Sequence, residues 1–571
     1  MRIDSQKHPS FDQEHIQALP SRKTIFLSVF LIIILGFSVY ANTLNNKFVW
    51  DDDVLVVDNP YIKEWAKVKN IFTEDVGAGS GREYYFYRPL PMMTYLIDYS
   101  LWELNPKGYH LTNIAWHIMA ALALYWLIIL LFRDNFLSLV TSAFFVVHPL
   151  HTEVVTYISG RSDALSLFFV LMSFIFYIKR LRQPGAKFTI GMILCYTAAV
   201  FSRENSLILP VLLLLYHYTF KEKVKLKGFL SILGVAGIYI TLRLTLLKGI
   251  LSEIPDMGPA LQRLPGIFVA MTNYIRLLFL PFDLHMEYGQ RLFSPLDPKV
   301  FMGMAIILSV TYVLRRYRCH KTIIFSVLWF FVSILPVSNI YPLNAYMAEH
   351  WLYLPSIGFF LILAEGSRFF YQRKRTRSAV LVCMISLFTL YSYQTVQQNT
   401  FWKEPVSFYK RTLRYAPNSY KTNHNLGLIY FDMGKHEEAI ALYQKAIETK
   451  PNSKIVHNHL GIAYSAIDDK EAAIASFKTA MGLDLKFAPT YYNLGNAYSS
   501  IGEKEKAISM FKMAIKFRPE YTEAYNNLGA AYADTGKNEA AIFAYEKALA
   551  LNPDDADAYN NLGVTRDDIG Q

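Results

Sequence analysis

Apolar runs recur from Thr24 to about residue 396, each closed by charges, proline or glycine. The first, Thr24 to Ala41, holds about 18 residues, enough helix to cross ~30 Å of hydrocarbon. Ten more lie near 110–132, 136–149, 162–178, 188–201, 205–219, 228–247, 298–314, 322–338, 351–366 and 378–396. The pattern predicts about eleven spans. Basic loops follow spans at Lys179-Arg180-Leu181-Arg182, Lys221 to Lys227, Arg315 to Lys321 and Arg368 to Arg377. All share the cytoplasmic side if the chain starts there, as Arg2, Lys7, Arg22 and Lys23 favour. Gly266 to Phe282 is apolar enough to span, yet a crossing there would carry the Arg315 cluster outside. It is expected to be interfacial or re-entrant, anchored by Arg276. An odd number of spans then leaves the C-terminus outside.

Beyond residue 399 the period changes. Leu-Gly recurs at 426/427, 460/461, 494/495, 528/529 and 562/563, and Pro417, Pro451, Pro519 and Pro553 keep the same spacing. Tyr430, Tyr464, Tyr498 and Tyr532 follow each Leu, and then come Ala439, Ala473, Ala507 and Ala541, aromatics at 443, 477, 511 and 545, and Ala446, Ala480, Ala514 and Ala548. Small residues let two helices approach while large ones fill the gap, so each unit is a helix pair that buries its face against its neighbour. This is a tetratricopeptide array. Leu485 replaces the expected Pro, Asp468 the turn Gly and Arg566 the expected Tyr. Glu404 to Pro417 has the phase of a second repeat helix, so little linker is expected before the array. The fifth unit breaks off at Gln571, which points to truncation or to a covered face.

The fold expected is all-α. A cytoplasmic segment 1–23 precedes a membrane helix bundle over 24–398, whose first extracytoplasmic loop is 43–109. A half-repeat junction over 399–419 leads to repeats over 420–571, four full and one incomplete. Of 571 residues 53% are hydrophobic, too many for a soluble enzyme. The net charge of +11 follows from the basic loops and is no nucleic-acid signature. Cys195, Cys319 and Cys383 sit where no extracellular disulfide or zinc site can form. Val39-Tyr40-Ala41-Asn42 is a poor cleavage site, so the first span reads as an uncleaved anchor.

Charged residues gather in the outer loops: Trp50-Asp51-Asp52-Asp53, Tyr87-Arg88-Pro89-Leu90, His148-Pro149-Leu150-His151-Thr152-Glu153, Gly160-Arg161-Ser162-Asp163, Ser202-Arg203-Glu204-Asn205 and Ala348-Glu349-His350-Trp351-Leu352-Tyr353-Leu354-Pro355-Ser356. Several such clusters at one membrane face suggest a shared polar site.

In that order, and closed by tetratricopeptides, the motifs resemble those of the transmembrane and tetratricopeptide-repeat O-mannosyltransferases, and more distantly other GT-C membrane glycosyltransferases. The likeness covers nearly the whole chain. The family often has Arg where this chain has His350, and Lys-Glu where it has Arg203-Glu204.

The resemblance implies a GT-C-type bundle that transfers a sugar, mannose by family, from a polyprenyl-phosphate carrier to Ser/Thr hydroxyls on the extracytoplasmic face. Asp51 or Asp52 is expected to take the hydroxyl proton in an inverting displacement. Arg161, Arg203, Arg88 and Arg243, in falling order, are expected to meet the leaving phosphate. His148, His151, Glu153, Asp163, Glu204 and Glu349 are expected to bind sugar or support the arginines. No cofactor or metal is expected, although a divalent cation on Asp51 and Asp52 is conceivable. Partners are the lipid-linked sugar, membrane lipid and an acceptor or partner protein on the repeats. An acceptor peptide is placed along Asn425, Asn493, Asn527 and Asn561, an amide row that can grip a backbone.

Plainer readings stand beside these. The acidic triplet can be a turn or helix cap, the histidines can be satisfied by backbone, and Arg161 can pair with Asp163. Tyr87-Arg88-Pro89 can be an anchor, and the Asn row can serve internal packing. A transferase acting on an envelope glycan or lipid, and a non-catalytic scaffold, are the competing functions.

Overall fold

The computed structural model describes residues 20–82, 84–247, 260–289, 291–340 and 343–570. Most of the expected 1–23 segment, including Arg2 and Lys7, lies outside them. The chain forms two compact units, Met1–Phe408 and Tyr409–Gln571, and no strand occurs among the described residues.

In the first unit, helix α1 (Arg22–Tyr40) starts where the Ser21 hydroxyl accepts the Thr24 N–H at 3.2 Å. After a loop come α2 (Pro89–Trp102), α3 (Pro106–Phe132), α4 (Asn135–Val147), α5 (Arg161–Arg182), α6 (Ala186–Ser202) and α7 (Leu209–Phe220). They are followed by α8 (Leu226–Leu246), α9 (Ala260–Phe279), α10 (Pro298–Arg316), α11 (Lys321–Ile334), α12 (Ser356–Tyr371) and α13 (Arg377–Thr400). Among the described residues six helical stretches are long and apolar enough to cross a membrane: Arg22–Asn45, Pro106–Phe132, Ile158–Arg182, Leu226–Leu246, Pro298–Arg316 and Arg377–Thr400. Asn135–Val147 and Pro149–Thr156 form a pair bent by 55°, which raises the number to at most seven. The chain bends there because Pro149 cannot donate to a continuing helix. The other four apolar runs fall in helices of 17, 12, 14 and 16 residues (α6, α7, α11 and α12). The count of about eleven spans is therefore not confirmed.

The run Gly266 to Phe282, helical as far as Phe279, is not among those stretches. It lies in α9, a continuous helix that packs along α10 and keeps Tyr274, Leu277 and Leu278 buried.

Two ends of the bundle differ in chemistry. At one, Arg368 Nη1 meets Asp134 Oδ2 at 2.9 Å, Arg182 donates to the Leu130 carbonyl and Lys225 to the Leu181 carbonyl, so three basic loops share that end. At the other end of α3, the Tyr109 carbonyl accepts from Arg161. The acidic, arginine and histidine motifs collect there.

In the second unit, helix pairs run Tyr420–Asp432 with His436–Thr449, Lys454–Ala466 with Lys470–Leu483, Ala488–Ser500 with Lys504–Phe517 and Thr522–Ala533 with Asn538–Leu551, followed by Ala556–Asp568. The Leu-Gly period has a steric cause. A Cβ on Gly461, Gly495 or Gly529 would sit 2.5–2.6 Å from the ring of Phe477, Phe511 or Tyr545. Turns between paired helices put Gly434, Gly502 and Gly536 at positive φ, and Asp468 takes the same conformation at φ 61°. Helix α14 (Pro405–Tyr415) occupies the expected half-repeat.

Candidate active site

The acidic motif is a tight turn rather than a helix cap. Trp50 has φ 58°, and Asp52 sits inside the turn with 1% of its surface exposed. Asp52 Oδ2 accepts the Val49 N–H at 3.1 Å, and Oδ1 accepts the Ser159 N–H at 2.9 Å and the Ser159 hydroxyl at 2.6 Å. Burial pushes its carboxyl up to about 7, against the pull of those three hydrogen bonds. Asp51, half-buried, accepts from Tyr84 Oη at 3.1 Å, and its N–H donates to Tyr157 Oη at 3.2 Å. Asp52 thus ties the first loop to the 158–160 turn, while Asp51 is the more accessible carboxylate. Asp53 begins the next turn, and its carboxyl is raised by burial and by Asp58.

Arg161 corrects the order expected of the arginines. It is fully buried, and its Nε donates to Asn113 Oδ1 at 2.6 Å, Nη1 to Thr94 Oγ1 at 3.2 Å and Nη2 to the Tyr109 carbonyl at 3.0 Å. Nη1 also pairs with Asp98 Oδ2 at 2.6 Å, and the guanidinium lies 4.7 Å from the Tyr95 ring centre. All three nitrogens of the fork are engaged, so it pins α5 to α2 and α3. Nor does it pair with Asp163, whose partner is Arg203.

The two-sided histidine expectation resolves toward structure. His148 Nε2 reaches the Leu278 carbonyl at 3.1 Å and its Nδ1 accepts the Leu150 N–H at 3.3 Å. His151 Nδ1 reaches the Phe145 carbonyl at 2.7 Å and Nε2 the Ser356 hydroxyl at 3.1 Å. Both rings are fully buried, with both nitrogens engaged. Neither is placed to bind sugar or phosphate.

The remaining motifs do converge. Arg88 grips Glu204 through Nε–Oε2 at 3.0 Å and Nη2–Oε1 at 2.6 Å, while Arg203 pairs with Asp163. Glu153 takes the His350 N–H at 3.0 Å and its Nδ1 at 2.5 Å. Arg88, Arg203, His350 and Glu153 all lie within electrostatic reach of Asp163, and Arg203 and Arg243 within that of Glu204. Burial alone would raise the Glu204 carboxyl, but Arg88, with Arg203 and Arg243 behind it, holds it well below the usual carboxylate range. Arg203, His350 and Asp163 line a small cavity, walled on the apolar side by Leu167, Val170 and Val337. Arg203 Nε and Ser333 Oγ are buried at this cavity without a hydrogen-bond partner. Buried donors of that kind are costly unless something accepts from them. Arg243 Nε on α8 is in the same condition. Glu349 accepts from the His285 N–H and Tyr288 Oη at 2.6 Å each and braces the 285–288 loop.

Among the described residues no three His, Cys, Asp or Glu side chains gather as a metal site. Sequence reasoning missed Ser159, Tyr157, Asp98 and Ser333. Ser159 directly precedes a recognised motif, and Asp98 is a lone carboxylate in an apolar helix, which are usable signals; Tyr157 and Ser333 offer none.

On the repeats, Asn493 Nδ2 donates to Asn458 Oδ1 at 3.0 Å, Asn527 to Tyr492 Oη at 3.2 Å and Asn561 to Asn526 Oδ1 at 3.0 Å. Asn425 donates to Tyr409 Oη at 3.3 Å. The row fastens each helix pair to the one before, the internal-packing role.

A tetratricopeptide-repeat family model matches residues 409–468, 495–536 and 531–567, and a second such model matches 456–487. Over the longer chain, a protein O-mannosyl-transferase of Caenorhabditis elegans is 27% identical across 72% of this chain and 61% of its own. Protein O-mannosyl-transferase TMTC3 of Mus musculus is 25% identical across 70% of this chain and 49% of its own. TMTC1 of Homo sapiens is 26% identical across 70% and 52%. The chain therefore spans between about half and three fifths of the length of these relatives. Multiple apolar helices, the ordered motifs and the repeats together agree with these matches: the chain's relatives are the transmembrane and tetratricopeptide-repeat protein O-mannosyl-transferases, the family its motifs resemble.

Proposed function

We propose that the first unit is a glycosyltransferase that moves a sugar, mannose by the names of its relatives, from a polyprenyl-phosphate donor to a Ser/Thr hydroxyl of a protein. The cavity at Arg203 carries this reading: it sets unpartnered buried donors beside an apolar wall, which suits a phosphate on a lipid tail. The bundle end bearing the motifs faces the extracytoplasmic side, and the basic end faces the cytoplasm.

In the reaction, the acceptor hydroxyl gives its proton to the Asp51 carboxylate as its oxygen bonds to the anomeric carbon. The bond from that carbon to phosphate oxygen breaks, and the electron pair leaves on the phosphate. One displacement inverts the centre. Arg203 meets the growing charge, with Ser333 as a further donor, while Arg88, Glu204 and Asp163 hold the guanidinium in place. Asp52 keeps the turn in shape. The repeats hold the acceptor protein, as such arrays do for protein partners.

The test is reconstitution in proteoliposomes with polyprenyl-phosphate [³H]mannose and a Ser/Thr-rich protein acceptor. Label is expected in protein after delipidation. Label moved to a lipid or glycan product distinct from the donor would establish the envelope-acceptor function instead, and label that stays wholly in the donor with folded protein present would leave a scaffold.

A further inference from the structure

The loop bearing Asp51 is docked on the end of α13 and the start of α14. Asn46 Nδ2 donates to the Asn399 carbonyl at 3.1 Å, the Lys47 N–H donates to the Lys403 carbonyl at 3.0 Å, and Lys47 Nζ pairs with Glu404 at 2.9 Å. Aromatic rings complete the contact. Phe408 meets Trp50 edge-on at 5.8 Å between ring centres and lies 4.8 Å from Trp402. Trp402 stacks on Tyr157 at 5.6 Å with 29° between planes, and Tyr157 Oη accepts the N–H of Asp51. Trp402 and Phe408 are 4% and 3% exposed.

This matters because Trp50 is left-handed, at φ 58°. A bulky residue seldom adopts that conformation unless its surroundings impose it, and imposed backbone strain gathers where geometry must be held. The Trp50 ring and the Asp51 N–H flank the same peptide. Phe408 fixes the first and Trp402, through Tyr157, fixes the second.

We propose that Trp402 and Phe408 are positioning residues for Asp51, clamping the Trp50–Asp51 turn so that the carboxylate stays aimed at the acceptor hydroxyl. The inference rests on the reading of Asp51 as the base. The clamp belongs to the segment that opens the half-repeat, and it gives those aromatics a task beyond repeat packing.

The test uses the full-length enzyme in the reconstituted assay. Trp402→Ala is expected to lower kcat about 10- to 100-fold, the scale of a misplacement near 1 Å, with donor KM within about twofold of the parent. Trp402→Phe should recover most of the loss. In single-turnover runs, Trp402→Ala combined with Asp51→Asn should be no slower than Asp51→Asn alone, because an unaimed base and an absent one fail alike. Trp50→Gly, which relaxes the turn and removes the ring, should lower kcat at an unchanged or higher melting temperature, so the inference survives if Trp402→Ala misfolds. Parental kcat in Trp402→Ala, or losses that multiply in the double variant, would overturn the clamp. Full activity of Asp51→Asn would instead overturn the reading on which it rests.

Discussion

Replacing Arg161 with Met separates a structural guanidinium from a phosphate ligand. Arg161 is fully buried, holds Asn113, Thr94 and the Tyr109 carbonyl, and neutralises Asp98, itself 2% exposed. Methionine keeps much of the stem but leaves the Asp98 charge without its partner. Breaking one side of a buried pair costs about 3–5 kcal/mol, a large share of the roughly 5–15 kcal/mol that separates folded from unfolded chains. Arg161→Met should therefore appear as low membrane abundance and a marked fall in detergent melting temperature. Arg161→Met with Asp98→Leu removes both charges and should regain most of the loss, as apolar replacements of buried pairs do. Fluorescence-detected size exclusion with a thermal ramp reads all three proteins. If Arg161→Met folds like the parent and its donor KM rises tenfold, the guanidinium belongs to the phosphate site and the packing argument is wrong.

Arg203→Lys keeps the charge but loses the fork, so donor KM should rise about tenfold, the worth of one charge-assisted hydrogen bond, in a donor titration. Asp468→Gly should stabilise its repeat by about 0.5–1 kcal/mol, because φ 61° suits glycine, and slower hydrogen exchange over the flanking helices would show it. Asp52 has its folded-state carboxyl raised from 3.8 to about 7, so the folded protein holds that proton more tightly than the unfolded chain does. Its contribution is fully favourable below about pH 4 and declines as pH climbs toward 7, by on the order of 4 kcal/mol at most. Melting temperature should accordingly fall from pH 5.5 to pH 8, and Asp52→Asn should flatten that slope.

The repeats were legible because their constraint is local and periodic. A glycine facing a ring sixteen positions later leaves the same mark in each of the four full units, and even the exception at Asp468 marks the turn. The membrane unit was legible as apolar helices, but not in its span count, since a run cut short by Arg203 or bent at Pro149 looks the same in hydropathy as a straight crossing. In the site, Arg88, Arg203, Asp163, Glu153 and Glu204 could be nominated by type, whereas their pairing could not. Arg161 shows why: a guanidinium opening an apolar helix reads alike whether its partner is phosphate or Asp98, and Asp98 comes from a distant helix. The histidines failed for the same reason, because carbonyl partners such as Leu278 and Phe145 carry no side-chain signature.

Single-turnover transfer from a polyprenyl-phosphate sugar to a Ser/Thr acceptor, compared between Asp51→Asn and the parent at equal folded protein, bears most directly on the central claim. Asp51→Asn is expected to lose at least about 100-fold, the scale of a general base, with donor binding retained. Transfer at the parental rate would show that the carboxylate of Asp51 is not the proton acceptor.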